Sequence, residues 1–136
     1  MSRMQKFAWF NLAVIALALL VVFSLVPLLG FKAMGGFGFL GLLGFGPAFF
    51  RTKPGQVLMD ERDLLIQARS WVFAYAVFWV IFVLAAVVLS ALVYGQDGSV
   101  PVTIVQISTF WAVTLVYALA SIAILVQYAG GASDAK

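Results

Sequence analysis

Charged side chains are concentrated in one short central stretch of the chain, and long apolar segments lie on either side of it. Seven of the thirteen charged residues fall within residues 51–69. No charged residue lies within residues 33–50, and Asp97 is the only one within residues 70–133. About 20 consecutive apolar residues suffice to cross a bilayer as a helix. The pattern therefore predicts one transmembrane domain over residues 1–136, with a polar loop in its middle.

Composition narrows the classes of function. The chain is 65% hydrophobic and 10% charged, whereas about a quarter of a soluble domain is charged. It has no cysteine and no histidine, which removes thiolate chemistry, the commonest general base and the commonest metal ligand. The small net charge of +3 is expected to set membrane topology. We therefore expect contact with the lipid bilayer, no enzyme activity, no cofactor, no metal and no nucleic-acid partner.

The apolar segments predict an all-α bundle of four transmembrane helices. Segment 33–50 is the least certain of them, because it is short and contains six glycines, each of which weakens a helix. A re-entrant hairpin is the alternative for it. The expected spans are 7–29, 33–50, 70–94 and 102–128, with a cytoplasmic loop over 51–69.

Basic residues indicate an orientation, since loops rich in Lys and Arg stay in the cytoplasm. With four spans they fall on one side: before the first span, in the central loop and after the last span. This predicts a cytoplasmic N-terminus, central loop and C-terminus, in the inner membrane of a prokaryote. The residues concerned are Arg3, Lys6, Arg51, Lys53, Arg62, Arg69 and Lys136.

The central loop divides into a turn and the start of a helix. Pro54 and Gly55 favour a turn. Asp60 is a good helix N-cap, and further acids in the first turn suit the helix dipole. No breaker separates this start from the next apolar segment, so one helix is expected over about 60–94, with its first turns extended into the cytoplasm.

The first turn of that helix is also the candidate contact for a protein partner. Its residues are Asp60, Glu61, Arg62 and Asp63. Capping and pairing with nearby arginines explain them without any partner. A metal or acid–base site is less expected, because Glu61 points about 100° away from the face that Asp60 and Asp63 share.

This stretch, from Asp60 to Ile66, resembles a family of uncharacterised small prokaryotic membrane proteins. That family carries an Asp-Glu-Arg signature between two predicted transmembrane hairpins. The similarity extends more loosely to the helix that ends at Leu125-Val-Gln-Tyr128, although the family's basic tail is replaced here by Ala-Gly-Gly-Ala-Ser-Asp. The resemblance implies a four-span membrane protein and no known activity.

Two patterns inside the membrane suggest contacts between helices. Gly38, Gly41 and Gly44 recur every third residue, and small residues let helices approach closely. They favour a tight hairpin with the first span, and a homo-oligomer contact is the alternative.

The last span carries a polar stripe, which we interpret mainly as hydrogen bonding between helices. The alternative is the wall of a path for a small solute, although no charged residue lies within a span to couple it to ions. The stripe consists of Thr103, Gln106, Thr109, Thr114, Tyr117 and Ser121.

These features lead to a ranked set of functions. The leading hypothesis is a non-enzymatic accessory, assembly or regulatory subunit that contacts a membrane or cytoplasmic protein through the central loop. The alternative is a small oligomeric transporter or channel that uses the polar stripe. An enzyme acting on lipids ranks third, because no nucleophile–base pair is visible.

Overall fold

The computed structural model is helical throughout its long segments and describes residues 2–50, 60–94 and 98–133, with side chains for 2–46, 60–91 and 98–130. The expected Pro54–Gly55 turn and the rest of 51–59 lie outside these residues. The elements are α1 (Arg3–Leu29), a 3-10 helix (Gly30–Phe50), α2 (Glu61–Val88), a π-helical stretch (Leu89–Tyr94) that continues α2, and α3 (Val102–Ser133).

Helix α1 begins earlier than the predicted span because its first turn is capped. The Ser2 hydroxyl accepts a hydrogen bond from the Gln5 backbone N–H at 3.1 Å, and the Gln5 side chain accepts one from the Ser2 N–H at 2.8 Å. This reciprocal capping box satisfies two donors at the helix start. At the other end, Gly30 adopts a φ of 55°, a conformation that favours glycine, and the chain turns there.

The 3-10 helix folds back along α1. Its three residues per turn place every third residue on one side, and Phe37, Leu40 and Leu43 pack on Val14, Ile15, Ala18 and Val22 of α1. At a rise of about 2.0 Å per residue, its 21 residues extend about 42 Å. The 27 residues of α1 extend about 40 Å at 1.5 Å each. The larger rise per residue of the 3-10 helix thus lets fewer residues cover the same length as α1.

The predicted count of four transmembrane helices is wrong. Within the described residues, three helical stretches are long and apolar enough to cross a membrane: Arg3–Gly46, Glu61–Ala91 and Val102–Gly130. The expected second span is part of the first stretch, and it is a 3-10 helix rather than an α-helix. The physical reason is that helical structure continues through the turn at Gly30, so α1 and the 3-10 helix form one unbroken helical stretch.

The second half of the chain follows the prediction closely. Asp60 caps α2, and its carboxylate accepts the Asp63 backbone N–H at 2.7 Å. Helical structure then runs without a break from Glu61 to Tyr94, which confirms the predicted continuous helix. Helix α3 begins at Val102, where the last span was expected to start.

The packing brings most described charges to one end of the molecule. The start of α1, the start of α2 and the last turns of α3 meet around Met4, Ala8, Ile66 and Ile124. We call this end the charged end, because the charged residues of α1 and α2 lie there. Among the described residues, Lys32 is the only charged side chain near the opposite end, where the chain turns at residue 30.

Candidate functional site at the charged end

The first turn of α2 presents its charges at the surface of the charged end. Asp60, Glu61 and Arg62 are exposed, and Asp63 is partly buried. Leu64 and Leu65 follow, with 52% and 56% of their surfaces exposed. The site therefore combines both signs of charge with an adjoining apolar pair.

Two side-chain hydrogen bonds hold this turn against α3. The Tyr128 hydroxyl donates to the Asp63 carboxylate. Two turns further along α2, the Gln127 amide donates to the buried Ser70 hydroxyl at 2.8 Å. The start of α2 is thus hydrogen-bonded to the end of α3, and the exposed charges of residues 60–62 lie beside this contact.

A third polar pair joins α1 to α3. The Asn11 amide nitrogen donates to the Ser121 hydroxyl at 3.3 Å, and both residues are buried. The other amide atom, Asn11 Oδ1, is buried and has no hydrogen-bond partner among the described residues. An unpaired polar atom in an apolar interior is costly, so this pair is a site where substitution should change stability.

The structure divides the predicted polar stripe of α3 into two parts. Thr103, Gln106 and Thr109 are exposed towards the opposite end, whereas Thr114 and Ser121 are buried and Tyr117 is partly buried. The hydroxyls of Thr109 and Thr114 donate to carbonyls of their own helix, at 3.0 Å and 2.8 Å. Of the six residues, Ser121 is the one for which a hydrogen bond to another helix is observed within the described residues.

The glycines of the 3-10 helix also form two sets. A methyl group added at Gly36 would lie 2.9 Å from Val22 Cγ2, and one at Gly46 would lie 2.9 Å from the Phe7 ring. A methyl group added at Gly38, Gly41 or Gly44 would meet no atom of the described residues within 4 Å. The close approach to α1 therefore uses Gly36 and Gly46, and the three glycines named from the sequence form an exposed strip on another face.

Sequence reasoning did not single out Gln127, or the bond between Tyr128 and Asp63. Gln127 is a primary amide in an apolar helix, which is itself a signal of a polar partner. The sequence around Gln127 does not indicate which helix supplies that partner.

Two of the three acids of the site have structural partners. Asp60 caps its own helix and Asp63 accepts from Tyr128. Within the parts of the chain that the structure describes, no group of three acidic side chains could hold a metal ion. The arrangement suits recognition by charge and hydrogen bonding.

Three long apolar helical stretches, joined by polar pairs where they meet, define a small helical membrane protein. The chain belongs to the family described as "Predicted membrane protein (DUF2178)", whose model matches residues 4–128. Membership of a membrane-protein family of unknown function, expected from the resemblance, is thereby confirmed. No curated protein and no solved structure matches the chain.

Proposed function

We propose that the protein is a non-enzymatic accessory or regulatory subunit that contacts a partner protein through the first turn of α2. The observation that carries the proposal is the exposed set Asp60, Glu61 and Arg62, fixed to α3 by the Tyr128–Asp63 hydrogen bond. A surface that is already ordered loses less conformational entropy on binding. Charges of both signs favour a partner with a complementary pattern and disfavour others.

The same end gives the proposed orientation. Arg3 and Lys6 of α1 lie at the end of the molecule that also holds Arg62 and Arg69 of α2. Basic residues accumulate on the cytoplasmic side, so we place the charged end in the cytoplasm of a prokaryotic cell, at its inner membrane. Labelling tests this directly, because the chain has no cysteine. A cysteine at Glu61 should react with an impermeant maleimide only after cell lysis.

Within the membrane, we place a partner helix or a second copy of the chain against the exposed strip of Gly38, Gly41 and Gly44. At three residues per turn these glycines lie in a row, and none of the described residues would lie within 4 Å of a methyl group added to them. Small residues let a second helix approach closely. Gly41→Leu should release the bound protein without changing the stability of the free chain. If the Gly41→Leu variant retained the bound protein, the glycine strip would not be part of the contact.

The contact at the charged end is tested by exchanging charges. The variant carries Glu61→Lys and Arg62→Glu, which preserves the net charge and leaves the Asp60 cap in place. Lys32→Glu, at the opposite end, is the matched control. The measurement is quantitative affinity purification in mild detergent, together with thermal unfolding of each variant.

We expect the exchange variant to co-purify at least ten-fold less partner than the wild type, with an unchanged unfolding temperature. The Lys32→Glu control should co-purify as much partner as the wild type. Equal recovery with both variants would contradict the proposal. Recovery of the wild-type chain always alone would do the same.

A transport role along the polar stripe draws less support. Its exposed half, including Gln106, lies beside an open cleft of about 480 Å³ that Lys32 also lines, but the buried half is engaged in hydrogen bonds between and within helices. Solute flux into proteoliposomes, compared between wild type and Gln106→Leu, tests it. Flux that depends on Gln106 would favour transport over the accessory role.

A further inference from the structure

A cleft opens between residues 43–46 of the 3-10 helix and the first turns of α2, and Tyr117 of the polar stripe also borders it. Its volume is about 440 Å³, within the range of small-molecule sites, roughly 300–1,000 Å³. Three aromatic side chains from three different helices line it: Phe7, Trp71 and Tyr117. Gln67 supplies a side-chain amide.

The aromatic rings are arranged as walls. The Trp71 and Tyr117 rings meet at 87°, with centroids 5.3 Å apart. Gly46 borders the cleft on the side of Phe7, and a methyl group there would lie 2.9 Å from the Phe7 ring. Glycine at this position thus lets the third ring sit against the end of the 3-10 helix.

The charge distribution selects the sign of a ligand. None of the described residues that line the cleft is charged, so these residues offer an anion no counter-charge. Aromatic faces attract cations, and quaternary ammonium groups are recognised by cages of such rings. Asp63 lies one turn before Gln67 on the same side of α2, where its carboxylate accepts a hydrogen bond from Tyr128.

We propose that this cleft binds an alkylated ammonium cation. The rings supply the attraction, and no ion pair within the cleft is needed. The cation can come from the headgroup of a phosphatidylcholine-type lipid or from a soluble amine. The site is separate from the exposed charges of residues 60–62, although Gly44 of the glycine strip borders it. The contact at the charged end can therefore fail without this proposal, and this proposal can fail without that contact.

The probe is choline, compared with its uncharged carbon isostere dimethylbutanol, in which a tert-butyl group replaces the trimethylammonium group. Binding to the purified protein in dodecyl maltoside is followed by saturation-transfer NMR at the methyl resonance. We expect a saturable signal for choline and a signal at least several-fold weaker for dimethylbutanol. Equal signals would overturn the proposal, because shape and apolar contact would then explain the binding.

Two tryptophans of α2 provide a matched pair of variants. Trp71→Leu removes a wall of the cleft, whereas Trp79→Leu removes an exposed ring outside it. We expect about a ten-fold weaker affinity for choline from the first, in the range of a cation–π contact, and no change from the second. Equal effects would overturn the proposal.

A second pair of variants keeps the proposal testable if the Trp71→Leu variant does not fold. Tyr117→Phe keeps the aromatic face and should keep choline binding, whereas Tyr117→Leu should weaken it. Loss of binding in both would indicate that the hydroxyl, not the face, is what matters, and would contradict the aromatic site.

Added lipid distinguishes the two sources of the cation. Competition with choline by phosphatidylcholine, but not by phosphatidylglycerol with the same acyl chains, supports the lipid headgroup. Choline binding that neither lipid displaces supports a soluble amine.

Discussion

The α1 hairpin and the α2–α3 pair show two different ways to hold apolar helices together. In the hairpin, the 3-10 helix lies against α1 along its length, with glycine in contact at Gly36 and Gly46. In the α2–α3 pair, the buried residues of α2 are confined to its first turns, at Ile66, Ser70 and Ala74.

Towards the opposite end, α2 and α3 leave apolar clefts of about 330 Å³ and 260 Å³ between them. Lipid tails are as apolar as the side chains, so apolar surface alone does not drive helices together. Close backbone approach holds the hairpin, and polar side chains hold α2 to α3 where such side chains exist. The comparison predicts where substitutions will matter.

The largest effect is expected in the hairpin. Gly36→Ala would place a methyl group 2.9 Å from the Val22 side chain and 3.2 Å from the Val22 backbone nitrogen. The backbone cannot move aside easily, so we expect a loss of about 2 kcal/mol of unfolding free energy. Gly38→Ala is the control and should cost nothing, because its methyl group would meet no atom of the described residues within 4 Å. Unfolding in mixed dodecyl maltoside and dodecyl sulfate micelles measures both.

A smaller effect is expected at the pair that joins α1 to α3. Ser121→Ala removes the one hydrogen bond that the buried Asn11 side chain makes among the described residues, and should cost about 1 kcal/mol. Adding Asn11→Leu removes the unpaired group and should recover most of that loss. A double variant that is less stable than Ser121→Ala alone would show that Asn11 has another stabilising role.

The polar tie between α2 and α3 should contribute less still. A double-mutant cycle with Ser70→Ala and Gln127→Leu should give a coupling of about 0.6 kcal/mol, the average for hydrogen bonds between membrane helices. Ser90→Ala serves as the control, because the Ser90 hydroxyl bonds to the Val87 carbonyl of its own helix. A coupling of zero would show that the Gln127–Ser70 hydrogen bond does not stabilise the contact between α2 and α3.

The smallest effect is expected on the exposed part of α2. Val83 is 52% exposed, beyond the buried residues of the helix. Val83→Ala should change the unfolding free energy by less than about 0.5 kcal/mol. A loss as large as that from Gly36→Ala would show that this part of α2 is packed against something within the protein.

The same comparison explains how much the sequence could predict. The start of α2 at Asp60 and its run to Tyr94 were predictable, because capping and the lack of a breaker are local signals. The start of α1 was missed, although Ser2 and Gln5 have the spacing of a capping box.

The face that the glycines use could not be predicted without the helix type. In an α-helix, Gly38, Gly41 and Gly44 drift by about 60° at each step, whereas in a 3-10 helix they form one row. Which row faces α1 depends on that difference and on Gly36 and Gly46. The hydrogen-bond partners of Ser70 and Asp63 could not be predicted either, because they depend on how α2 and α3 are aligned.

Distances between spin labels test the central claim, that α2 is held to α3 at the charged end and is open at the other. The chain has no cysteine, so labels can be placed at chosen exposed positions. One pair joins Ala68 to Val126 near the charged end, and the other joins Val87 to Thr103 near the opposite end. Double electron–electron resonance in lipid nanodiscs should give a narrow distance distribution for the first pair and a clearly broader one for the second. Distributions of equal width, or a broader one at the charged end, would contradict the account.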